Sequence, residues 1–288
     1  MHRPVALLLL VVALVLPLLS PPVAGARVVA QPADAPVVVL TVDGVINPLT
    51  ARYLERSLRQ AEASNAALVV VTLDTPGGLD ASMRAMVEAL LNAPVPTAVY
   101  VAPSGARAAS AGMFITIAAD VAAAAPATNI GAASPVALGG TAGETELAKA
   151  TSDAAALARA IAERRGRNAD WVERAVVESV SLTAREARDE NVIDVVAENL
   201  DDLLRQIDGR AVDVAGGTVR LRTAGAPVEQ RPMSLGEQLI HTISDPNIAY
   251  LLLTLGTLLL LAELAAPGLS IAGAGSAIAY ILAFMALG

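Results

Sequence analysis

The chain has no cysteine, a single lysine and only two histidines among its 288 residues. Without cysteine there is no disulfide framework and no Cys-His nucleophile pair, so a folded domain must be stable through its own core. His2 lies near the N-terminus and His241 just before an apolar run, so a Ser-His-Asp triad would have to recruit His241. For a hydrolase with a covalent intermediate, serine activated by lysine is the leading chemistry left.

Aromatic residues and positive charge are also scarce. Only 2% of the residues are aromatic, the formal net charge is −8, and no basic cluster with interleaved aromatics is present. These features argue against a nucleic-acid partner. With 55% hydrophobic and 17% charged residues, the chain is too apolar for an ordinary soluble domain and too charged for a protein that lies entirely in the membrane. We expect neither a metal site nor a cofactor.

Lys149 is the only lysine, and the other 19 basic residues are arginines. Arginine keeps its proton at any accessible pH, whereas a desolvated lysine can become a neutral base. Lys149 is therefore a candidate for proton chemistry. The alternative is that Lys149 survives by chance and forms an ordinary surface pair with Asp153, four residues later on the same predicted helix.

The first 26 residues have the pattern of a secretory signal peptide. A basic start at Arg3 precedes an apolar stretch over residues 5–19, and small residues at 24–26 fit cleavage after Ala26. The alternative is a first transmembrane anchor, but the apolar stretch is short for a span of about 30 Å. The sequence therefore predicts export of the domain that follows.

Two apolar runs near the C-terminus predict a transmembrane helical hairpin over residues 247–288, the start of a longer membrane region. The first run covers residues 248–265 and is interrupted only by Glu263, and the second covers residues 269–287 after the Pro267-Gly268 turn. No Lys or Arg follows Arg231, so export of the domain must set the orientation. We expect a multi-pass membrane protein whose first span runs from outside to inside and whose main domain is extracytoplasmic.

Strand and helix patterns alternate between the signal peptide and the hairpin. Continuous apolar runs at residues 37–42, 68–73 and 97–102 predict buried strands, and residues 48–63 and 82–91 have helical periodicity. Such strands separated by helices imply a parallel sheet covered on both faces, which is an α/β fold.

The second half of the domain continues this pattern. Residues 144–165 predict a long helix that carries Lys149 and ends at Gly166, and Thr183 with Glu186 predicts a capping box. A short closing strand at residues 192–197 and a helix at residues 199–207 follow. Residues 210–246 are predicted to be a linker and membrane approach, because residues 216–232 are rich in Gly, Arg and Pro.

Two glycine-containing loops each follow a predicted strand and open a helix. In the first loop, Gly77 and Gly78 would leave backbone N–H groups free to point into a cleft, which suits an oxyanion hole, although a tight turn without a ligand fits equally well. In the second loop, Ser110 would lie at the first turn of a helix, where the helix dipole favours a developing alkoxide. A plain N-cap serine is the alternative, and Ser104 and Ser134 are rival loop serines.

Five segments in a fixed order resemble the NfeD family of membrane-anchored, ClpP-class serine proteases. The resemblance covers residues 37–204 and the apolar hairpin. Taken in order the segments are specific, whereas any one alone is a weak signal. They are Asp74-Thr75-Pro76-Gly77-Gly78, Ala109-Ser110-Ala111-Gly112, Gly131-Ala132-Ala133-Ser134-Pro135-Val136, Lys149 and Gly166-Arg167-Asn168.

This resemblance implies a ClpP/crotonase-like protease domain over residues 36–209. Ser110 matches the family nucleophile and Lys149 its general base. The N–H groups of Gly78 and Ala111 match the oxyanion hole, with Gly77 shaping the turn. Family members often carry a histidine where this chain has Ser134.

The resemblance also implies partners and a larger architecture. Full-length members continue through further spans into a small β-barrel domain, which is missing from these 288 residues. Family members are associated with stomatin-like or prohibitin-like membrane proteins as partners or substrates. We expect a homo-oligomer, specifically a dimer, that acts on a peptide or protein.

The resulting interpretation is a membrane-anchored serine endopeptidase with a Ser-Lys dyad, cleaving apolar segments of membrane-associated proteins. One alternative is a catalytically inactive membrane scaffold that binds a stomatin-like or prohibitin-like partner. Retention of both Ser110 and Lys149 argues against it. A second alternative is an acyl-CoA enzyme of the crotonase type, but export would place the domain where acyl-CoA is scarce.

Overall fold

The structure is a computed structural model that describes residues 28–32, 34–136, 143–215, 217–238, 246–265 and 271–287. The predicted signal peptide, His241 and the Pro267-Gly268 turn lie outside the described residues. The strands are β1 Val28–Ala30, β2 Val37–Asp43, β3 Leu68–Asp74, β4 Thr97–Val101, β5 Arg107–Ala109, β6 Val121–Ala124, β7 Asn129–Gly131, β8 Ser181–Thr183, β9 Val195–Val196, β10 Ala211–Val214, β11 Gly217–Arg220 and β12 Val228–Gln230. The helices are α1 Pro48–Ala63, α2 Asp80–Leu91, α3 Ala111–Ala118, α4 Glu144–Arg165, α5 Ala169–Val177, α6 Ala184–Asp189, α7 Leu200–Ile207, α8 Pro246–Ala265 and α9 Ile271–Leu287.

The main sheet has six strands, all parallel to their neighbours, in the order β12-β2-β3-β4-β6-β9. The central strands are almost fully buried runs rich in valine, as expected for a parallel sheet with both faces covered. Helices connect successive strands, because parallel strands need a crossover. The predicted α/β fold with a parallel sheet flanked by helices is confirmed.

The two faces of the sheet are covered by different layers. On one face, alternate strand residues such as Val38 and Val69 pack with α1 to α5 in the larger core cluster. On the other face, Val39 and Val70 pack with α7 and with residues of β10 and β11. Because successive residues of a strand point to opposite faces, each continuous apolar run supplies both layers.

The predicted linker is wrong for much of its length, because residues 211–230 contain three strands. β11 pairs with β10 and with β1, and β12 adds a sixth strand to the main sheet beside β2. Val212 and Val219 are buried against the second face of that sheet. β10 and β11 thus shield the second face of the main sheet, since the apolar side chains of β2 and β3 would otherwise be exposed to water.

Two helices have the bounds predicted for them, and local capping explains why. α1 begins after Asn47, whose side chain accepts hydrogen bonds from the N–H groups of Leu49 and Thr50, both at 3.0 Å. α4 carries Lys149 and ends at Gly166, whose φ of +67° is the left-handed conformation that glycine tolerates.

The C-terminal helices α8 and α9 form a packed hairpin. Ser276 donates to the carbonyl of Gly256 at 2.9 Å, and Glu263 accepts a hydrogen bond from the N–H of Gly273 at 3.1 Å. Among the described helices, α8 is long and apolar enough to cross a membrane, whereas the apolar part of α9, Ile271–Phe284, is shorter. The structure thus contains the predicted pair of apolar helices, with spanning length in the first.

Candidate active site

The turn that contains Gly77 and Gly78 follows the carboxyl end of β3 and is fixed by hydrogen bonds to β5. The N–H of Thr75 donates to Arg107 at 2.8 Å, and the N–H of Ala109 donates to Thr75 at 3.1 Å. The Thr75 hydroxyl also accepts the Gly77 N–H at 3.0 Å. The two glycine-containing loops of the sequence are therefore joined directly.

Both residues of this turn must be glycine for steric reasons. Gly77 has a φ of +121°, and a Cβ at this position would lie 2.8 Å from the Cβ of Ser110 and 3.2 Å from its Oγ. A Cβ at Gly78 would lie 2.1 Å from the carbonyl oxygen of Ile46, because the backbones pair there as an isolated bridge. Gly77 thus touches Ser110, as an oxyanion-hole turn beside a nucleophile would require.

Ser110 lies just before α3 in a conformation that serine rarely adopts. Its φ is +52° and its ψ is −115°, and its side chain makes no capping hydrogen bond to α3. The alternative of a plain N-cap serine is therefore wrong. The N–H of Ser110 is held by the carbonyl of Gly131 at 3.0 Å. A residue in such a region costs roughly 1–3 kcal/mol and persists where the surroundings over-determine it, often at functional sites.

Ser110, Gly78 and Ala111 line one cavity of about 500 Å³. The N–H of Gly78 has no hydrogen-bond partner among the described residues. Ala111 is the first residue of α3, so its N–H has no partner within the helix. No described residue accepts a hydrogen bond from either N–H group. Two such groups and a hydroxyl on one cavity wall are the components of an acyl-transfer site. The other lining residues are Val45, Pro76, Leu79, Asp80, Met83, Phe114, Ala132, Ala133, Ser134, Pro135, Val136 and Ala154.

The rival serines differ from Ser110 in their surroundings. Ser134 lines the cavity, but its hydroxyl is engaged by the carbonyl of Val176 and lies 2.6 Å from the hydroxyl of Ser179. Ser104 is exposed in a loop and is not among the cavity-lining residues. Of these three serines, Ser110 alone combines the cavity, the strained backbone and the adjacent N–H groups.

Lys149 is exposed on the second turn of α4 and is not among the residues that line the cavity. Ala154, five residues later on the same helix, does line it. Five residues correspond to about 7.5 Å along a helix axis, which is close to the reach of a lysine side chain. The structure thus brings the lysine's helix to the site without placing the amine beside Ser110.

Contacts between α2 and α4 show which end of the site Lys149 faces. Arg84 of α2 binds Asp153 of α4, and near the other end Arg164 donates to the carbonyl of Leu91 at 2.8 Å. The two contacts follow the same order along both helices, so α2 and α4 run in the same general direction. Lys149 lies one turn before Asp153, on the N-terminal side of the contact with Arg84.

The sequence interpretation missed the apolar wall of the cavity and a charged network beside it. Leu79 and Met83 are four residues apart and line the cavity, with Phe114 contributed by α3. Their helical spacing was a signal available in the sequence. Within α2, Arg84 donates to Asp80 at 2.8 Å. Its second bond, to Asp153, joins α2 to α4 and is a tertiary contact that sequence spacing does not reveal.

Comparison with known proteins gives consistent matches. Residues 36–214 match the family described as NfeD1b, N-terminal domain. The membrane-bound protease PH1510 of Pyrococcus horikoshii is 35% identical over 257 residues, which are 88% of this chain and 58% of that protein. The chain thus spans less than two thirds of that relative's length.

Two solved structures of the 1510-N membrane-bound stomatin-specific protease are similar to this chain. A lysine-to-alanine mutant in complex with a substrate peptide has a TM-score of 0.68 and 32% identity, and covers 74% of this chain and 99% of that one. A serine-to-alanine mutant has a TM-score of 0.62 and 31% identity, and covers 70% and 98%.

Proposed function

This chain belongs to the NfeD1b family through its N-terminal domain, and from that premise we propose that it is a membrane-anchored serine endopeptidase with Ser110 as nucleophile and Lys149 as general base. The observation that carries this proposal is the wall of the cavity at Ser110. Ser110 with its strained backbone lies there beside the Gly77-Gly78 turn and beside two backbone N–H groups that no described residue engages.

In the proposed mechanism, neutral Lys149 takes the Ser110 hydroxyl proton as Oγ bonds to the carbonyl carbon of the peptide. The carbonyl oxygen becomes an oxyanion and accepts hydrogen bonds from the N–H groups of Gly78 and Ala111. The C–N bond then breaks, Lys149 returns the proton to the leaving amine, and an acyl ester remains on Ser110. Water attacks this ester with Lys149 as base, which frees the serine.

Lys149 must move from its exposed position for this chemistry. Catalytic hydrogen bonds often tighten only when substrate is bound, and a peptide that fills the cavity would exclude water from the lysine. Desolvation favours the neutral amine, which is the form that can act as a base. The existence of serine-to-alanine and lysine-to-alanine mutants of the 1510-N protease supports the choice of these residue types.

The proposed substrate is an apolar segment of a membrane-associated protein. The cavity wall at Leu79, Met83 and Phe114 is apolar, and the 1510-N relative is described as stomatin-specific. We extend this specificity to a stomatin-like or prohibitin-like partner of the present chain. The proposal also places the protease domain on the extracytoplasmic side of a multi-pass membrane protein. We further propose that the protein is a homodimer, and a measurement of its molecular mass in detergent tests this.

The first prediction concerns the two residues of the dyad. Ser110→Ala removes the nucleophile, and Lys149→Arg keeps the positive charge but removes the base. Each should lower peptidase activity at least a hundredfold while the circular dichroism spectrum stays unchanged. A serine-reactive fluorophosphonate probe should label the parent protein and fail to label Ser110→Ala. Ser104→Ala is the matched control and should retain labelling. An active Lys149→Arg enzyme would refute the dyad.

The alternative function is an inactive scaffold that keeps the fold and binds a partner. The exposure of Lys149, away from the cavity-lining residues, is the observation in its favour. The same experiment separates the two functions. A parent protein that neither reacts with the fluorophosphonate probe nor cuts peptides, but still retains a stomatin-like partner, would favour the scaffold.

A further inference from the structure

Arg84 joins the two helices that border the candidate site, through a carboxylate on each side. Its Nε donates to Asp80 at 2.8 Å, and its Nη2 donates to Asp153 of α4. Asp80 lines the cavity, whereas Asp153 lies one helical turn after Lys149. A row of charges therefore connects the cavity rim to the helix of the proposed base.

Asp153 is placed to pair with Lys149, because residues four apart on a helix are neighbours and opposite charges at that spacing attract. In the structure Asp153 binds Arg84 instead, and Lys149 has no ion-pair partner among the described residues. The other charged groups on this side are Glu146, three residues before Lys149 on α4, and the Asp80–Arg84 pair on α2. Among the carboxylates one turn or less from Lys149, Asp153 is the one that a neighbouring element holds.

We infer that Arg84 is a positioning residue for the proposed reaction: it binds Asp153 and so keeps that carboxylate from pairing with Lys149. This inference rests on the proposed function. A carboxylate paired with the lysine would stabilise the ammonium form, which cannot take the Ser110 proton.

The test combines Arg84→Met, Asp153→Asn and the double variant with pH profiles of kcat/KM on a peptide substrate, using the whole chain in detergent. Arg84→Met releases Asp153 to pair with Lys149, and this ion pair favours the protonated lysine. The ascending limb of the kcat/KM profile should therefore move to higher pH by about 0.3 unit, as expected for a helical ion pair. Asp153→Asn in the Arg84→Met background should return the limb to its original pH. A merely structural loss of the link between helices would not be rescued, because the double variant lacks that link too.

A second measurement uses the single lysine and needs no catalysis. Reductive methylation with ¹³C-formaldehyde labels Lys149 and the N-terminal amine, since the chain has no other lysine. The pH at which the Lys149 methyl signal titrates should rise in Arg84→Met and return in the double variant. Asp153→Asn alone should leave this pH unchanged, because Arg84 already engages Asp153. If Arg84→Met does not fold, a clear fall of this pH in Asp153→Asn would show that Asp153 pairs with Lys149 in the parent protein and would overturn the inference.

The outcomes separate this inference from the proposed function. An active parent enzyme whose profile and lysine titration are unchanged in Arg84→Met would overturn the role of Arg84 alone. A shift that persists in the double variant would also overturn it. An inactive parent protein, or a fully active Lys149→Arg variant, would overturn the proposed function and with it the catalytic meaning of Arg84.

Discussion

Ser110 and the glycines beside it depend on each other at the scale of single atoms. The positive φ of Ser110 turns its side chain out of the capping position, and the missing Cβ of Gly77 leaves space for that side chain. Gly112, two residues after Ser110, likewise leaves space for a side chain, since a Cβ there would lie 2.6 Å from the Thr75 side chain. Glycines therefore surround Ser110, the proposed nucleophile, and make its backbone conformation sterically possible.

The second prediction uses this steric constraint. Gly78→Ala should lower the free energy of unfolding by more than about 3 kcal/mol, because its Cβ would overlap the Ile46 backbone at 2.1 Å. Gly143→Ala is the matched control, since a Cβ at Gly143 meets nothing within 4 Å and its φ is −61°. Urea unfolding in detergent, followed by the fluorescence of the single tryptophan, Trp171, measures both. Equal stability of the two variants would contradict the prediction.

The sequence predicted which residues lie together at this site, but it did not predict their backbone conformation or their distances. The order of the motifs predicted Ser110, Gly77, Gly78 and Ala111 together, and the structure places them on one cavity wall or directly beside it. The unusual backbone of Ser110 could not be predicted, because a serine before a helix ordinarily caps it. The position of Lys149 relative to Ser110 stays a prediction, since it depends on how α4 packs.

At the scale of elements, strong local signals were predicted correctly and weak edge strands were not. α1 has a Pro at its start and an Asn before it, so its first residue is clearly marked in the sequence. By contrast, β10, β11 and β12 are three or four residues long and lie among Gly, Arg and Pro. Such strands form because their neighbours offer unpaired backbone groups, which is tertiary information.

Residues 228–238, within the predicted linker, form a docking segment that holds the chain against the domain ahead of the apolar helices. β12 pairs with β2, and the hydroxyl of Tyr53 donates to the carbonyl of Arg231 at 2.6 Å. Glu237 forms a two-point ion pair with Arg56, whose guanidinium also lies 5.7 Å from the Tyr53 ring. The chain therefore leaves the domain from the face of α1.

The third prediction is a pH dependence of this docking. The hydrogen bonds from Arg56 lower the pKa of Glu237 from 4.5 to about 2. A lowered pKa in the folded state stabilises the fold above the unfolded pKa, and this contribution is lost as the pH falls from about 4.5 towards 2. Glu237→Gln should therefore be less stable than the parent by about 1 kcal/mol at pH 7, and the difference should vanish near pH 2. Urea unfolding of both proteins across this pH range measures it. A difference that stays constant with pH would contradict the assignment.

At the scale of the whole molecule, the docking segment limits how far the cleft can lie from the membrane. Eight peptide units join Gln238 to Pro246, the first residue of α8, and fully extended they span at most about 28 Å. Exposed leucines along α8, among them Leu251, Leu258 and Leu264, need an apolar surrounding. At most eight peptide units thus separate the docking segment from α8, whereas the predicted linker and membrane approach covered residues 210–246.

The fourth prediction follows from this short tether. Insertion of sixteen Gly/Ser residues between Gln238 and Pro246 triples the tether from eight to about 24 peptide units, so the effective concentration of the cleft near a membrane-anchored substrate should fall about fivefold. With the protein in vesicles, cleavage of a lipid-anchored apolar peptide should slow by that factor. Cleavage of the same peptide free in solution is the control and should be unchanged, because the cavity is untouched. If both peptides are cut at unaltered rates, proximity to the membrane does not select the substrate, and selection must come from the apolar wall at Leu79, Met83 and Phe114.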